Sequence, residues 1–252
     1  MAWYFGSDSG TTSNTQACAT SGGSFYIGRS GYGTTPSLYW VLPSGSNRAA
    51  FTFWNVEGPD SPSRPGGITP ETWGTTQAKK YFSTWNSQWA NNNLTGRRGK
   101  TLFGSISLNS GSPGGGWSTT NVTANRAVVN GFISDLVDEL NGTGTVGIYG
   151  SKCDVLHCIL GASSWVPTEP IVVWMAEWIR SSCGTAESDY CKGGMPNVGG
   201  YTPMIWQYYG GTNYPDYDIS PYEGGSVDLK WTPTKIPGLC STSYSLSTCG
   251  SC

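Results

Sequence analysis

The sequence predicts an α/β protein: a single irregular (β/α) barrel of the TIM-like kind with a disulfide-rich C-terminal tail. Three observations predict it. Pro170-Ile171-Val172-Val173-Trp174 is apolar and β-branched on both parities, as a strand covered on both faces must be. It continues into Met175-Ala176-Glu177-Trp178, which puts a carboxylate at its C-terminal end. Trp3 to Asp8, Phe51 to Glu57 and Met204 to Tyr209 repeat the design of an apolar run closed by an aromatic and an acid or amide. Segments of helical periodicity lie between such runs, and strands alternating with helices read as a parallel sheet. A chain of 252 residues is long enough to be one such barrel, assigned to 1–235 with the tail at 236–252.

Taken in order, Trp3 to Asp8 reads as the first strand and Ser24 to Ser30 as the second. Tyr39 to Leu42 and Ala50 to Glu57 follow as short strands or as a strand and a helix remnant. Three prolines and three glycines from Gly58 to Gly67 make a loop long enough to wall a cleft. Thr69-Pro70-Glu71 opens a helix whose Trp73, Gln77, Tyr81 and Trp85 recur on one face. Thr101 to Leu108 is the next strand, followed by a glycine-rich loop from Gly111 to Trp117. Asn121 to Leu140 is a packing helix, with Val128, Val129, Phe132, Ile133, Leu136, Val137 and Leu140 as its stripe. Thr145 to Gly150, the opening stretch, Met204 to Tyr209 and Ser226 to Trp231 complete the strands. The last third signals its helices weakly, so an incomplete outer ring is expected.

The composition excludes several function classes. Fourteen Lys+Arg against sixteen Asp+Glu give a formal net charge of -2, and Arg97-Arg98-Gly99-Lys100 is the only basic cluster. That balance lacks the basic stripe of a nucleic-acid footprint. No run reaches the roughly 18 apolar residues of a membrane span. Eight cysteines without a second ligand pair after Cys249-x-x-Cys252 favour disulfides over zinc, and hence secretion. Short-range pairs are open to Cys183 with Cys191, Cys153 with Cys158, and within Cys240 to Cys252. Cys18 would pair far along the chain. Met1 reads as an initiator before a mature chain whose signal was removed. The Asn93, Asn121 and Asn141 sequons fit export, although an Asn- and Thr-rich chain produces such triplets by chance. No metal or cofactor motif appears, and the one histidine, His157, lies just before Cys158.

The order of motifs resembles the glycoside hydrolase family 25 lysozymes. The resemblance rests on Gly6-Ser7-Asp8, on Phe25 to Gly33, and on Val146-Gly147-Ile148-Tyr149. It continues through Trp174 to Trp178, Ile205-Trp206-Gln207-Tyr208 and Val227-Asp228-Leu229. It extends to about Trp231 and implies a monomeric barrel that binds, and as an enzyme hydrolyses, a polysaccharide such as peptidoglycan or a chitin-like glycan. The chain departs from the family where an Asp-x-Glu should supply the proton donor: those places fall on Ser105 and Ser107. A serine hydroxyl cannot protonate a glycosidic oxygen at useful rates.

The surviving acids are therefore the catalytic candidates. Asp8 matches the family's first-strand aspartate. Glu57, before the proline-rich loop, could have its pKa raised by Phe53 and Trp54, while Asp60 is a lesser alternative. Glu177 faces the bowl only if Trp178 does not. Asp228 matches the late aspartate, as a ligand-binding residue or as a turn-former. Tyr26, Tyr149, Trp174, Trp206, Tyr208 and Trp117 would line the bowl, with Arg29 and Gln207 donating to hydroxyl or acetamido groups. The alternative function is an inactive barrel serving as a glycan-binding, structural or toxin-like extracellular protein.

Overall fold

The computed structural model describes residues 4–9, 25–37, 49–91, 97–108, 115–151, 159–161, 165–176, 198–209 and 216–220. All eight cysteines, the tail, Tyr39 to Leu42, Glu177, Asp228 and the strand expected at Ser226 to Trp231 lie outside them, as does the side chain of Tyr208. Nine strands make one sheet: β1 (Tyr4–Ser9), β2 (Phe25–Tyr32), β3 (Thr35–Pro36), β4 (Ala49–Asn55), β5 (Arg97–Ser105), β6 (Thr145–Ser151), β7 (Ile171–Ala176), β8 (Ile205–Tyr209) and β9 (Asp216–Ser220). Helix α1 (Pro70–Asn91) joins β4 to β5, and α2 (Val122–Leu140) joins β5 to β6. The order is β1-β9-β8-β7-β6-β5-β4-β2-β3, and β1 also pairs with β2, so the sheet curls round upon itself. It is mostly parallel. The exceptions are the short β3, antiparallel to β2, and β9, antiparallel to both β1 and β8. The 210–215 link is shorter than the dozen or so residues of a parallel crossover, so the chain returns as a hairpin.

Strand alternation builds two apolar layers. Phe25, Ile27, Phe51, Phe53, Phe103, Val172, Trp174 and Ile205 fill the inside of the curl. Trp54, Leu102, Ile148, Val173, Met175 and Trp206 point the other way and pack under the helices. β7 is buried at all six positions, which explains its apolarity on both parities. Trp73, Gln77, Tyr81 and Trp85 are all buried, the face that their spacing predicts. The Tyr81 hydroxyl donates to the Thr52 carbonyl oxygen at 2.7 Å, and burial pushes its pKa well above that of a free phenol. Asn121 caps α2 by accepting from the Ala124 N–H. No described helix is long and apolar enough to cross a membrane.

The two helices meet through glycines. A Cβ on Gly74 would stand 2.0 Å from the Val128 carbonyl oxygen, and one on Gly131 would stand 2.3 Å from that of Glu71. Alanine normally gains about 1 kcal/mol over glycine inside a helix. Here the obstacle is main chain, and forced overpacking costs about 1–3 kcal/mol or more. Gly74→Ala and Gly131→Ala are thus expected to destabilise, lowering the urea midpoint. An unchanged or raised midpoint would show that the helices can separate cheaply.

Candidate functional site

All parallel strands end on one side of the curl, and their inward-facing last residues meet there. Asp8, next to last in β1, lies on the same face as Gly6, where a Cβ would collide with the Phe25 ring at 2.1 Å. Asp8 is 5% exposed, and its Oδ1 accepts from Gln207 Nε2 at 2.6 Å. Gln207 Oε1 in turn accepts from the Tyr149 hydroxyl at 2.6 Å. A chain of two hydrogen bonds therefore runs from β6 through β8 to β1. It assigns the Gln207 amide its orientation and holds the Asp8 carboxylate in one position.

Asp218 on β9 is a fully buried carboxylate, and the Trp174 indole N–H donates to its Oδ1 at 2.8 Å. It pairs with Gly6 on one side and Gln207 on the other, while Asp8 pairs with Asp216. Asp8 and Asp218 are thus diagonal neighbours on one face of an antiparallel pair, about 7–8 Å apart between Cα atoms. The sequence reading did not single out Asp218, although Tyr217-Asp218-Ile219 is an alternating segment one short link after Trp206-Gln207-Tyr208; Asp228, which it did single out, lies outside the described residues.

Glu57 lies just beyond β4. Its main chain is clamped by the Gln77 amide, which accepts from the Glu57 N–H at 2.8 Å and donates to its carbonyl oxygen at 2.9 Å. Its Oε2 accepts from Ser61 Oγ at 2.7 Å. Gly33, at φ +48°, lets the β2–β3 turn approach this carboxylate, because a Cβ there would come within 2.7 Å of it. Phe53 faces the interior and Trp54 the helices, so the two rings do not flank Glu57 together. Asp60 is exposed. The proline-rich loop is zipped to the glycine-rich one, with the Gly58 N–H donating to Gly115 O and the Asp60 N–H to Gly116 O. Asn125 extends this wall: its Nδ2 donates to the Ser118 and Ile159 carbonyls, and its Oδ1 accepts from the Ser118 N–H.

Several expected bowl residues are elsewhere. Trp206 and Trp117 belong to the layer under the helices. Tyr26, between the inward Phe25 and Ile27, is buried on the opposite face. In each strand a one-residue change of parity moves the ring across the sheet. Trp174 does point inward, but at 1% exposure, wedged among Phe53, Phe103 and Tyr149, it offers no face to a ligand. Arg29, Tyr149 and Ser107 are half-buried, and Ser105 is 6% exposed. These four and Asp8 form the mouth; Gln207, Trp174 and Asp218 lie beneath and hold it. Among the described residues no three His, Cys, Asp or Glu side chains group as a metal site.

No family model and no curated protein sequence matches the chain. Similar solved structures include the spore cortex lytic enzyme SleM of Clostridium perfringens, with a TM-score of 0.54 and 14% identity over 87% of this chain and 67% of that one. A bacterial lysozyme from Streptomyces coelicolor has a TM-score of 0.49 and 21% identity over 91% of this chain and 96% of its own. A muramidase from Acremonium alcalophilum has 0.49 and 20% over 90% and 96%. At such identities the likeness with SleM is one of fold, and the curled, mostly parallel α/β sheet of this chain is a glycoside hydrolase family 25, lysozyme-like fold.

Proposed function

We propose that the protein is a secreted, monomeric glycan-binding barrel that takes a polysaccharide, of the peptidoglycan or chitin-like kind, at the mouth formed by Asp8, Arg29, Tyr149 and Ser107. The observation that carries this reading is the Tyr149–Gln207–Asp8 chain, in which a buried amide fixes one carboxylate beside a half-buried phenol ring. A fixed acceptor next to an aromatic face is what binding a sugar by hydrogen bonds and stacking needs. The fold shared with a spore cortex lytic enzyme supports the same class of ligand. Secretion and disulfides rest on the eight cysteines.

Hydrolysis is the second reading, and the diagonal placement of Asp8 and Asp218 favours it. Paired carboxyl groups about 5–9 Å apart are the ordinary equipment of a glycosidase. Continuing the Asn55–Ser105 pairing by two residues would set Glu57 beside Ser107, one strand from the missing donor. Against hydrolysis, serines stand at 105 and 107, where the resemblance puts the family's proton donor. Glu177 and Asp228 are candidates from the sequence alone.

Calorimetric titration with chitin oligomers and soluble peptidoglycan fragments, alongside a reducing-end assay, separates the two. Saturable binding without product is expected. Asp8→Asn should weaken it by about tenfold or more, the effect of losing a charged hydrogen bond. No saccharide binding would remove the first reading. Product that vanishes in Glu57→Gln would establish the second.

A further inference from the structure

We infer that Tyr32 and Asn55 form a second sugar-contacting position, so that a groove runs across the strand ends from Tyr149 to Tyr32 and holds several sugar units in a row; this sets the extent of the glycan site and rests on the glycan reading. Tyr32 on β2, Asn55 on β4, Ser105 on β5 and Tyr149 on β6 are successive partners in the sheet. Paired residues of parallel strands share a face, and Asn55 and Ser105 stand two residues beyond the inward Phe53 and Phe103. With neighbouring strands about 4.8 Å apart, the row is about 14 Å long, the reach of a short oligosaccharide rather than of one sugar.

A second observation points to a ligand at the Tyr32 end. Arg29 pairs with Phe53 and Gly31 with Trp54, so Ser30 is an extra residue that bulges β2. Strict alternation from the inward Phe25 and Ile27 would put Tyr32 on the helix side of the sheet. The bulge re-aims its ring to the inward face, opposite Asn55. The kink is firmly built: Ser30 is fully buried, a Cβ on Gly31 would stand 2.3 Å from the Trp54 ring, and the Trp54 indole N–H donates to Gly33 O at 3.0 Å. Its product is not a core contact, because Tyr32 is half-buried, like Asn55 and Tyr149, at the rim above the buried Phe53 and Phe103. A phenol ring at each end offers a face for a sugar ring, and the amide and hydroxyl between them can both donate to and accept from sugar hydroxyls.

The test is calorimetric titration with chitin oligomers and peptidoglycan glycan strands of two, four and six sugars. For the native protein, affinity is expected to rise by about tenfold or more from two sugars to four, and to level off by six, where the row is full. Tyr32→Ala and Asn55→Ala should each remove most of that gain while leaving disaccharide affinity within about twofold of native. Tyr32→Phe, which keeps the ring, should retain the gain. Melting curves show which variants are folded, and Asn55→Ala carries the test if Tyr32→Ala is not. Native affinity that does not depend on length overturns the inference and leaves the glycan reading standing. So does a folded Asn55→Ala or Tyr32→Ala protein that keeps the full gain. Binding of no saccharide at any length overturns both.

Discussion

Trp174→Ala should unfold much of the barrel rather than simply weaken a ligand contact. The indole is 1% exposed and packs against Phe53, Phe103 and Tyr149. Truncating a buried tryptophan costs about 3–5 kcal/mol through lost burial and the cavity left behind. The same change takes from Asp218, a fully buried carboxylate, the indole N–H that donates to it. Taking the donor from a buried acceptor adds roughly 1–3 kcal/mol. The sum approaches the whole stability of an ordinary domain, about 5–15 kcal/mol. A fall in Tm of about 10–25 °C is expected for a chain of this size. Trp174→Phe separates the two contributions, because it keeps most of the ring and removes only the donor, so its Tm should fall by much less. A Trp174→Ala protein melting within a few degrees of the native one would mean that the interior layer is not what holds the strands together.

The sequence showed much of this layering because the layers are written in periodicity. Trp73, Gln77, Tyr81 and Trp85 could share only one helical face, and the unbroken apolarity from Ile171 to Met175 could suit only a strand covered on both sides. What periodicity leaves undetermined is which parity faces inward. Tyr26 and Trp206 differ from their inward neighbours by a single residue, and nothing local to either strand distinguishes the lumen from the helix layer when both are apolar. Asp218 was not legible for a related reason: an antiparallel return carries no helix to announce it. Asp218 gains its place from pairing with Gly6, more than two hundred residues earlier in the chain. The Tyr149–Gln207–Asp8 chain is likewise a long-range product. Gln207 looked like a ligand contact, whereas both ends of its amide are engaged inside the protein.

That engagement gives the site its sharpest test, because two replacements of Gln207 should fail in different ways. Gln207→Leu removes the donor to Asp8 and the acceptor of the Tyr149 hydroxyl, leaving two polar groups without these partners. Saccharide affinity should drop by about 10- to 100-fold, the effect of freeing a carboxylate that had been held in one position. Gln207→Glu keeps the shape and still accepts from Tyr149, but sets a second carboxyl within hydrogen-bond reach of Asp8. Two carboxyls at that distance cannot both ionise, so the pair retains one proton above the ordinary carboxyl range. In the unfolded chain both release theirs near about pH 4. The folded variant therefore binds more protons than the unfolded one across the interval above that value. Its stability relative to the native protein must fall as pH rises from about 4 to about 7. Melting curves across that interval should converge at the acid end and separate toward neutrality. Parallel curves for Gln207→Glu would show that residue 207 does not face Asp8, and the carboxylate at the mouth would lose the support on which sugar binding depends.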